Sequence, residues 1–318
     1  MARVFVSCTL PGDAVDRLAR EHHVVVGEER VGVNGVAFLE AAATFDGIIS
    51  LFNDRVDVAL LDRAPRLRVV ANFAVGYDNI DVRTCAARGI VVTNTPGVLS
   101  EATADLAFGL VLSAARRITE GDRLVRRGAF LGLTPSFLVG ARIHGATLGI
   151  VGLGRIGQAM ARRARGFEMD VIYSSRRPVP VEVERALGAT AVGIDELFTR
   201  ADVVSLHCPL TAETRHLVNA ARLARMKPGA ILVNTTRGSV VDEAALASAL
   251  ARGPIGGAGL DVYEDEPRVH PALLGLENVV LSPHLGSADR PTREAMARVA
   301  ADNVLAVLEG RPALTPAH

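Results

Sequence analysis

Residues 148–157 read LGIVGLGRIG, and the reading of the whole chain turns on them. The apolar run Leu148–Val151 meets Gly152, Gly154 and Gly157 in the order G-x-G-x-x-G. A strand covered on both faces of a parallel sheet reads as continuous apolar sequence. Glycines permit a tight turn and a close backbone approach to a ligand. The QAMARRARGF that follows is built from helix-forming residues. A bare glycine pattern also arises in structural turns. Strand, glycine turn and helix in succession are the context that points to a dinucleotide. In that reading Gly152 makes the turn, Gly154 admits the pyrophosphate and Gly157 lets the helix pack on the strand. The helix start at Arg155 and Ile156 then offers backbone N–H groups and the positive dipole end to the phosphates.

Downstream of this unit, MDVIYSS at 169–175 reads as a second strand. Further strands are expected in 189–192, 201–209, 229–238, 255–267 and 278–286, with helices VEVERAL, IDELFTR, 219–226 and DEAALASALARG between them. This is a doubly wound sheet complete in itself. Its second strand ends Tyr173-Ser174-Ser175-Arg176-Arg177, without Asp or Glu. An acidic residue about 20 positions beyond the glycines takes the ribose 2′-hydroxyl in NAD-binding sheets. A carboxylate would repel a 2′-phosphate, whereas Ser174, Ser175, Arg176 and Arg177 would bind one. NADPH is therefore expected over NADH, against the alternative of a solvated turn before Pro178.

Upstream, 3–8, 23–26, 45–51, 66–73 and 89–96 read as strands, with helices at 13–20 and in VDVALLDRA. This alternation also implies a parallel α/β sheet. It has no glycine-rich phosphate turn. Its loops NFAVGYDNID at 72–81 and Asn53-Asp54 lie where ligands collect, beyond strand C-termini. Val75, Gly76 and Asn53 are candidate substrate contacts, or else turn formers. SEATADLAFGLVLSAARRITEGDRLVRRG at 100–128 predicts one long helix with Ser100 as N-cap and Thr103 in its first turn. Its exposed part is a candidate dimer surface. Residues 129–145 lack a period and read as a long loop or arm, with Phe137 and Leu138 covering something or simply packed. REAMARVAADNVLAVLEGR at 293–311 is a final helix.

At 318 residues the chain is expected to hold two domains, and 49% hydrophobic residues suffice for sizeable cores. A net charge of zero favours neither nucleic acid nor a membrane surface. No apolar run reaches the ~18–20 residues that cross a bilayer. The start, broken by Pro11-Gly12 and Asp13, does not read as a signal peptide. Cys8, Cys85 and Cys208 are far apart, which suits a reducing cytoplasm and no metal site.

Three strand ends of the second unit carry candidate chemistry: Asn234-Thr235-Thr236-Arg237-Gly238, then Asp261 with Glu264-Asp265-Glu266-Pro267, then Pro283-His284-Leu285-Gly286. Taken singly, Arg237 could be an ion-pair partner, Glu266 a solvated acid and His284 a loop histidine. Parallel strands bring all three to the edge that holds the glycine turn. Together they suit hydride transfer to a 2-keto acid. Arginine holds a carboxylate through two parallel bonds. Histidine gives a proton near neutral pH, and a nearby glutamate favours imidazolium.

With NFAVGYDNID, GIVVTNTPGVLSEATADLAFGL, LGIVGLGRIGQAMARRARGF, ILVNTTRGSVVDEAAL, GAGLDVYEDEP and LSPHLGSA in this order, the chain resembles the D-isomer-specific 2-hydroxyacid dehydrogenases. The glyoxylate/hydroxypyruvate reductase branch is the nearest match, over nearly the whole length. The resemblance implies a Rossmann coenzyme domain, residues 99–287, inserted in a flavodoxin-like substrate domain, residues 1–98 and 288–318. It implies that Arg237 binds the substrate carboxylate and polarises the keto oxygen, with His284 the acid/base and Glu266 its partner. Val75 and Gly76 would offer N–H groups to the carboxylate. Asp261 would orient the nicotinamide carboxamide, and Thr103, Cys208, Pro209, Thr235 and Gly286 would line the cofactor. It further implies a hinge closing on substrate and a homodimer joined through coenzyme domains. The expected activity is NADPH-preferring reduction of glyoxylate and hydroxypyruvate to glycolate and D-glycerate. Alternatives are a dehydrogenase for another D-2-hydroxy acid (lactate, phosphoglycerate or a sugar-derived acid) and a nucleotide-sensing corepressor-like protein. The short stretch after the final helix argues against the phosphoglycerate enzymes with an appended domain, and the Arg237, Glu266 and His284 set argues against the corepressor.

Overall fold

The computed structural model describes residues 1–28 and 31–317. The chain divides into two units, Met1–Leu99 with Ser287–His318, and Ser100–Gly286. In the first unit β1 (Arg3–Val6), β2 (His23–Val26), β3 (Gly47–Ser50), β4 (Val69–Asn72) and β5 (Val91–Thr93) form one parallel sheet, ordered β2-β1-β3-β4-β5. The central strands β3 and β4 are buried along their whole length, as their unbroken apolar sequence requires. Phe5, Phe38 and Phe45 pack together on one side, with ring centroids 4.8–5.6 Å apart. On the other side the C-terminal helix Arg290–Leu308 lays Ala297, Ala300, Ala301 and Val304 against Val4, Val6, Ile49 and Val69. Asp289 starts that helix by accepting the Thr292 N–H at 2.8 Å, next to Pro291.

In the second unit β6 (Thr147–Val151), β7 (Asp170–Ser174), β8 (Ala189–Ala191), β9 (Val203–Leu206), β10 (Ile231–Asn234), β11 (Gly257–Leu260) and β12 (Val279–Leu281) form a seven-stranded sheet. Its order is β12-β11-β10-β9-β6-β7-β8 and every pair is parallel. The strand order reverses between β6 and β9, so the crevice of this sheet opens beside the glycine turn. Both faces are sealed, one by Leu197, Phe198, Leu246 and Leu250, the other by Ala107, Val111, Met160 and Ala164. Two doubly wound parallel α/β units are thus present, the second interrupting the first in sequence.

One expected element is corrected. Residues 100–128 do not form one helix but two, Ser100–Ala115 and Ile118–Arg126. The Ala115 carbonyl, which would continue the ladder, accepts the Ala141 N–H at 2.8 Å instead. Arg117 turns into the left-handed region at φ 54° and clasps Glu120 through two bonds of 2.6 and 2.7 Å. Ser100 is the first helical residue rather than the cap before it. Short helices at Val36–Ala41, Val82–Ala87 and Pro271–Leu274 went unread because each is too brief to show a period. No helix among the described residues is long and apolar enough to cross a membrane.

Candidate active site

Each glycine of the fingerprint answers to a different neighbour. Gly152 adopts φ 95°, and a Cβ there would lie 2.8 Å from the His207 backbone that follows β9. A Cβ on Gly157 would lie 2.2 Å from the Gly152 carbonyl, so the helix Arg155–Arg165 rests directly on the turn. Gly154 is different: it is exposed, and a Cβ there would meet nothing within 4 Å. No atom of the described residues demands glycine at 154. It stands at the helix cap, which has no side-chain hydrogen bond. Open space above bare first-turn N–H groups fits a pyrophosphate. Gly157→Ala is therefore expected to destabilise the fold by about 1–3 kcal/mol, as overpacking does. Gly154→Ala should leave the melting temperature unchanged and weaken dinucleotide binding alone. Thermal melts and cofactor titrations of the two variants check this, and equal melting losses would contradict it.

Beyond β7 the Ser175 hydroxyl oxygen accepts the Leu153 N–H at 2.7 Å, tying this strand end to the glycine turn. Arg176 and Arg177 are exposed, and no ion pair holds either among the described residues. Ser174 is half-buried. Burial pushes the Cys208 thiol up to about 11, so Cys208 and Pro209 offer backbone and apolar surface rather than a thiolate. After β10, the Thr235 hydroxyl is buried without a hydrogen-bond partner among the described residues. A buried hydroxyl so placed is costly unless another group completes it. The open Gly154 cap, the Thr235 hydroxyl and the Ser174–Arg177 strand end fit a dinucleotide along this edge.

The ends of β10, β11 and β12 lie side by side in the sheet, which brings Arg237, Glu266 and His284 to one edge. The Asn234 side chain accepts the Thr236 N–H at 3.0 Å and donates to the Arg237 carbonyl at 2.9 Å, fixing the turn that carries Arg237. Gly238 packs so tightly that a Cβ would fall 1.8 Å from the Tyr263 carbonyl carbon. The Arg237 and Glu266 loops are thereby pressed together. Glu266 uses both oxygens: Oε1 accepts the Tyr263 N–H at 3.0 Å, and Oε2 lies 2.9 Å from His284 Nδ1. Burial opposes ionisation of Glu266. The hydrogen bond and charge of His284, the Tyr263 N–H and the Arg237 charge outweigh it, so its pKa falls below the ordinary value. Glu266 is then a carboxylate at neutral pH and can only accept, so Nδ1 donates in this bond.

His284 sits at φ 55°, a conformation that costs a non-glycine residue about 1–3 kcal/mol and persists only where its surroundings enforce it. Asp261 enforces it. Its carboxylate accepts the Ser282 hydroxyl at 2.7 Å and the Leu285 and Gly286 N–H groups at 2.7 and 2.8 Å, while its own carbonyl accepts the His284 N–H at 2.9 Å. Burial pushes the Asp261 carboxyl up, and the Ser282 hydroxyl, the Leu285 and Gly286 N–H groups and the His284 charge work against that rise. Asp261, expected only as a cofactor contact, thus also aims the histidine. Thr103 is buried within reach of Gly286: a Cβ on Gly286 would lie 3.5 Å from its methyl group. Asn234, Gly238 and Tyr263 were not singled out from sequence. A polar residue closing each strand was the available signal for Asn234 and Asp261. Asn53, Val75 and Gly76 belong to the first unit, Asn53 exposed after β3 and the other two half-buried after β4.

Residues 108–286 match the family model described as D-isomer specific 2-hydroxyacid dehydrogenase, NAD binding domain. The chain belongs to that family: it is an NAD(P)-dependent oxidoreductase of small 2-keto and 2-hydroxy acids. The glyoxylate reductase of Thermococcus litoralis is 46% identical over 312 residues, 97% of this chain and 94% of that protein. A solved structure from Thermus thermophilus superposes with a TM-score of 0.92 at 48% identity, covering 99% of this chain and all of the other. The NADPH-dependent glyoxylate/hydroxypyruvate reductase of Sinorhizobium meliloti, solved with NADP and malonate, gives a TM-score of 0.87 at 39% identity, covering 99% and 96% of the two chains.

Proposed function

We propose that this chain reduces glyoxylate and hydroxypyruvate to glycolate and D-glycerate, with NADPH preferred to NADH. The hydrogen-bonded His284–Glu266 pair on the edge that carries Arg237 is the observation behind the reaction class. When bound, the nicotinamide supplies hydride from its C4. Arg237 holds the substrate carboxylate as a planar fork and polarises the keto oxygen. Val75 and Gly76 give backbone N–H groups to the same carboxylate. His284 Nε2 protonates the keto oxygen, and Glu266 keeps the imidazole oriented. Asp261, held on the His284 turn, retains lone pairs for the carboxamide. Asn53 contributes at the substrate end. Thr103, Cys208, Pro209, Thr235 and Gly286 line the cofactor. A homodimer joined through the second unit accompanies this reading, supported by exposed Phe130, Leu131, Leu133 and Val139 in the arm. The three cysteines, remote in sequence, support a cytoplasmic setting.

NADPH preference rests on the two exposed arginines and the missing carboxylate after β7. A charge-assisted bond contributes ~1.5–3 kcal/mol, so one or two favour NADPH by about tenfold to several hundredfold. Ser175→Asp combined with Arg176→Ala should reverse the preference. The new carboxylate can still accept the Leu153 N–H, so the strand end keeps its anchor. Comparing kcat/KM for the two cofactors tests the proposal. Wild-type protein that works equally well or better with NADH removes it.

A further inference from the structure

In the loop after β4 three successive carbonyls are each held by a hydrogen bond. The Ala74 carbonyl accepts the Thr95 N–H at 2.9 Å. The Val75 carbonyl accepts from the Asn94 side-chain amide at 2.7 Å, and the Gly76 carbonyl from the Asn72 side-chain amide, also at 2.7 Å. These peptides are trans, since the cis bonds of the described chain lie at Gly253-Pro254 and Glu266-Pro267. In a trans peptide the N–H points opposite to the C=O. The N–H groups of Val75, Gly76 and Tyr77 therefore point away from the Thr95, Asn94 and Asn72 donors that hold these carbonyls. None of the three has an acceptor among the described residues. Successive N–H groups facing one way make an anion-binding concavity.

The two asparagines are themselves held in place. Asn72 is fully buried, and its Oδ1 accepts the Ser50 hydroxyl at 3.0 Å and the Asn79 amide at 3.4 Å. Its Nδ2 is thereby directed at Gly76. Asn79 in turn donates to the carbonyls of Leu51 and Asp54, at 3.0 and 2.8 Å. Asn94 is gripped by the C-terminal segment: the Thr315 hydroxyl donates to its carbonyl at 2.6 Å, and its own N–H donates to the Thr315 carbonyl at 3.3 Å. Asn303, inside the last helix, holds Thr315 through two bonds and Leu314 through a third: its Nδ2 donates to the Thr315 hydroxyl at 2.8 Å, and its Oδ1 accepts the Leu314 and Thr315 N–H groups at 2.9 and 3.0 Å.

We propose that Asn94 and Asn72 are positioning residues for carboxylate recognition, holding the Val75, Gly76 and Tyr77 N–H groups turned toward the anion. The proposal rests on the keto-acid reductase reading. It adds the Tyr77 N–H to the binding row and names the side chains that set the row.

The test compares glyoxylate with glyoxal, which has an aldehyde where the carboxylate stands. Asn94→Asp replaces the donating amide by an oxygen that repels the Val75 carbonyl. Asn94→Ser removes the amide without adding charge and is too short to reach. In both variants the glyoxylate-to-glyoxal ratio of kcat/KM should fall about tenfold or more, the scale of one hydrogen bond to a charged group. The loss should appear in the KM for glyoxylate, with kcat and the NADPH dissociation constant little changed. A purely structural role would lower both activities together and leave the ratio alone. An unchanged ratio in folded Asn94→Ser overturns the assignment. Wild-type protein gives a second readout: amide exchange at residues 75–77 should slow in oxalate but not in chloride of equal ionic strength. Equal exchange in the two overturns the proposal even where no variant folds. Wild-type protein that reduces no keto acid defeats the activity reading itself. Keto-acid reduction with an unchanged ratio defeats only the asparagine assignment.

Discussion

His284→Ala is expected to lower kcat for keto-acid reduction by about 10²–10⁴-fold, the range for a positioned general acid. Cofactor binding should hardly change, because the glycine turn and the strand ends after β7 and β9 do not depend on the imidazole. The companion variant Glu266→Gln gives the mechanism a direction. In this reading the His284 imidazole delivers the proton of reduction while the Glu266 carboxylate holds its Nδ1. Glu266 is ionised at neutral pH, its pKa lying below the ordinary value once His284, Tyr263 and Arg237 outweigh its burial. Because the Glu266 pKa is lowered, activity that depends on its carboxylate should be lost only as pH falls below the ordinary carboxylate range, and Glu266→Gln should remove that acid limb. A pH–rate profile that keeps the acid limb in Glu266→Gln would show that the carboxylate 2.9 Å from Nδ1 does not set it. Retention of full activity in His284→Ala would remove the residue from the chemistry altogether.

Arg237→Lys is expected to cost about 10²–10³ in kcat/KM, comparable to losing one preorganised donor to a developing oxyanion. Lysine keeps the charge but is a point donor on a flexible stem, unable to reproduce two parallel bonds to a carboxylate. The turn beneath should survive, since the Asn234 amide grips the residue 237 carbonyl and not its side chain. Steady-state kinetics with glyoxylate, beside a cofactor titration, separates the two effects. Near-normal turnover would mean that Arg237 serves only as a charge acting on Glu266.

Much of this was legible in residues 148–157, because a buried parallel strand, a glycine turn and a helix leave little else for such a segment to be. The strand ends after β10, β11 and β12 were legible for a related reason: polar residues that close apolar runs must collect on one edge of a parallel sheet. What the residues of each end do was less accessible. Asp261 reads as a lone carboxylate after an apolar strand, and only the fold shows it gathering Ser282, Leu285 and Gly286 around a left-handed His284. Ser175 reads as a phosphate ligand, and the fold shows its oxygen already accepting the Leu153 N–H.

Local sequence determined the strands, the parallel character of each sheet and the glycine turn, since those follow from apolar periodicity and from steric limits on single residues. Tertiary structure decided whatever depends on partners distant along the chain. The helix from Ser100 stops at Ala115 because Ala141, 26 positions on, takes the last carbonyl. Asn94 becomes an anchor for Val75 because Thr315, 221 positions away, holds its backbone. Such contacts exist only once the chain has closed on itself, and no window along the sequence contains both partners.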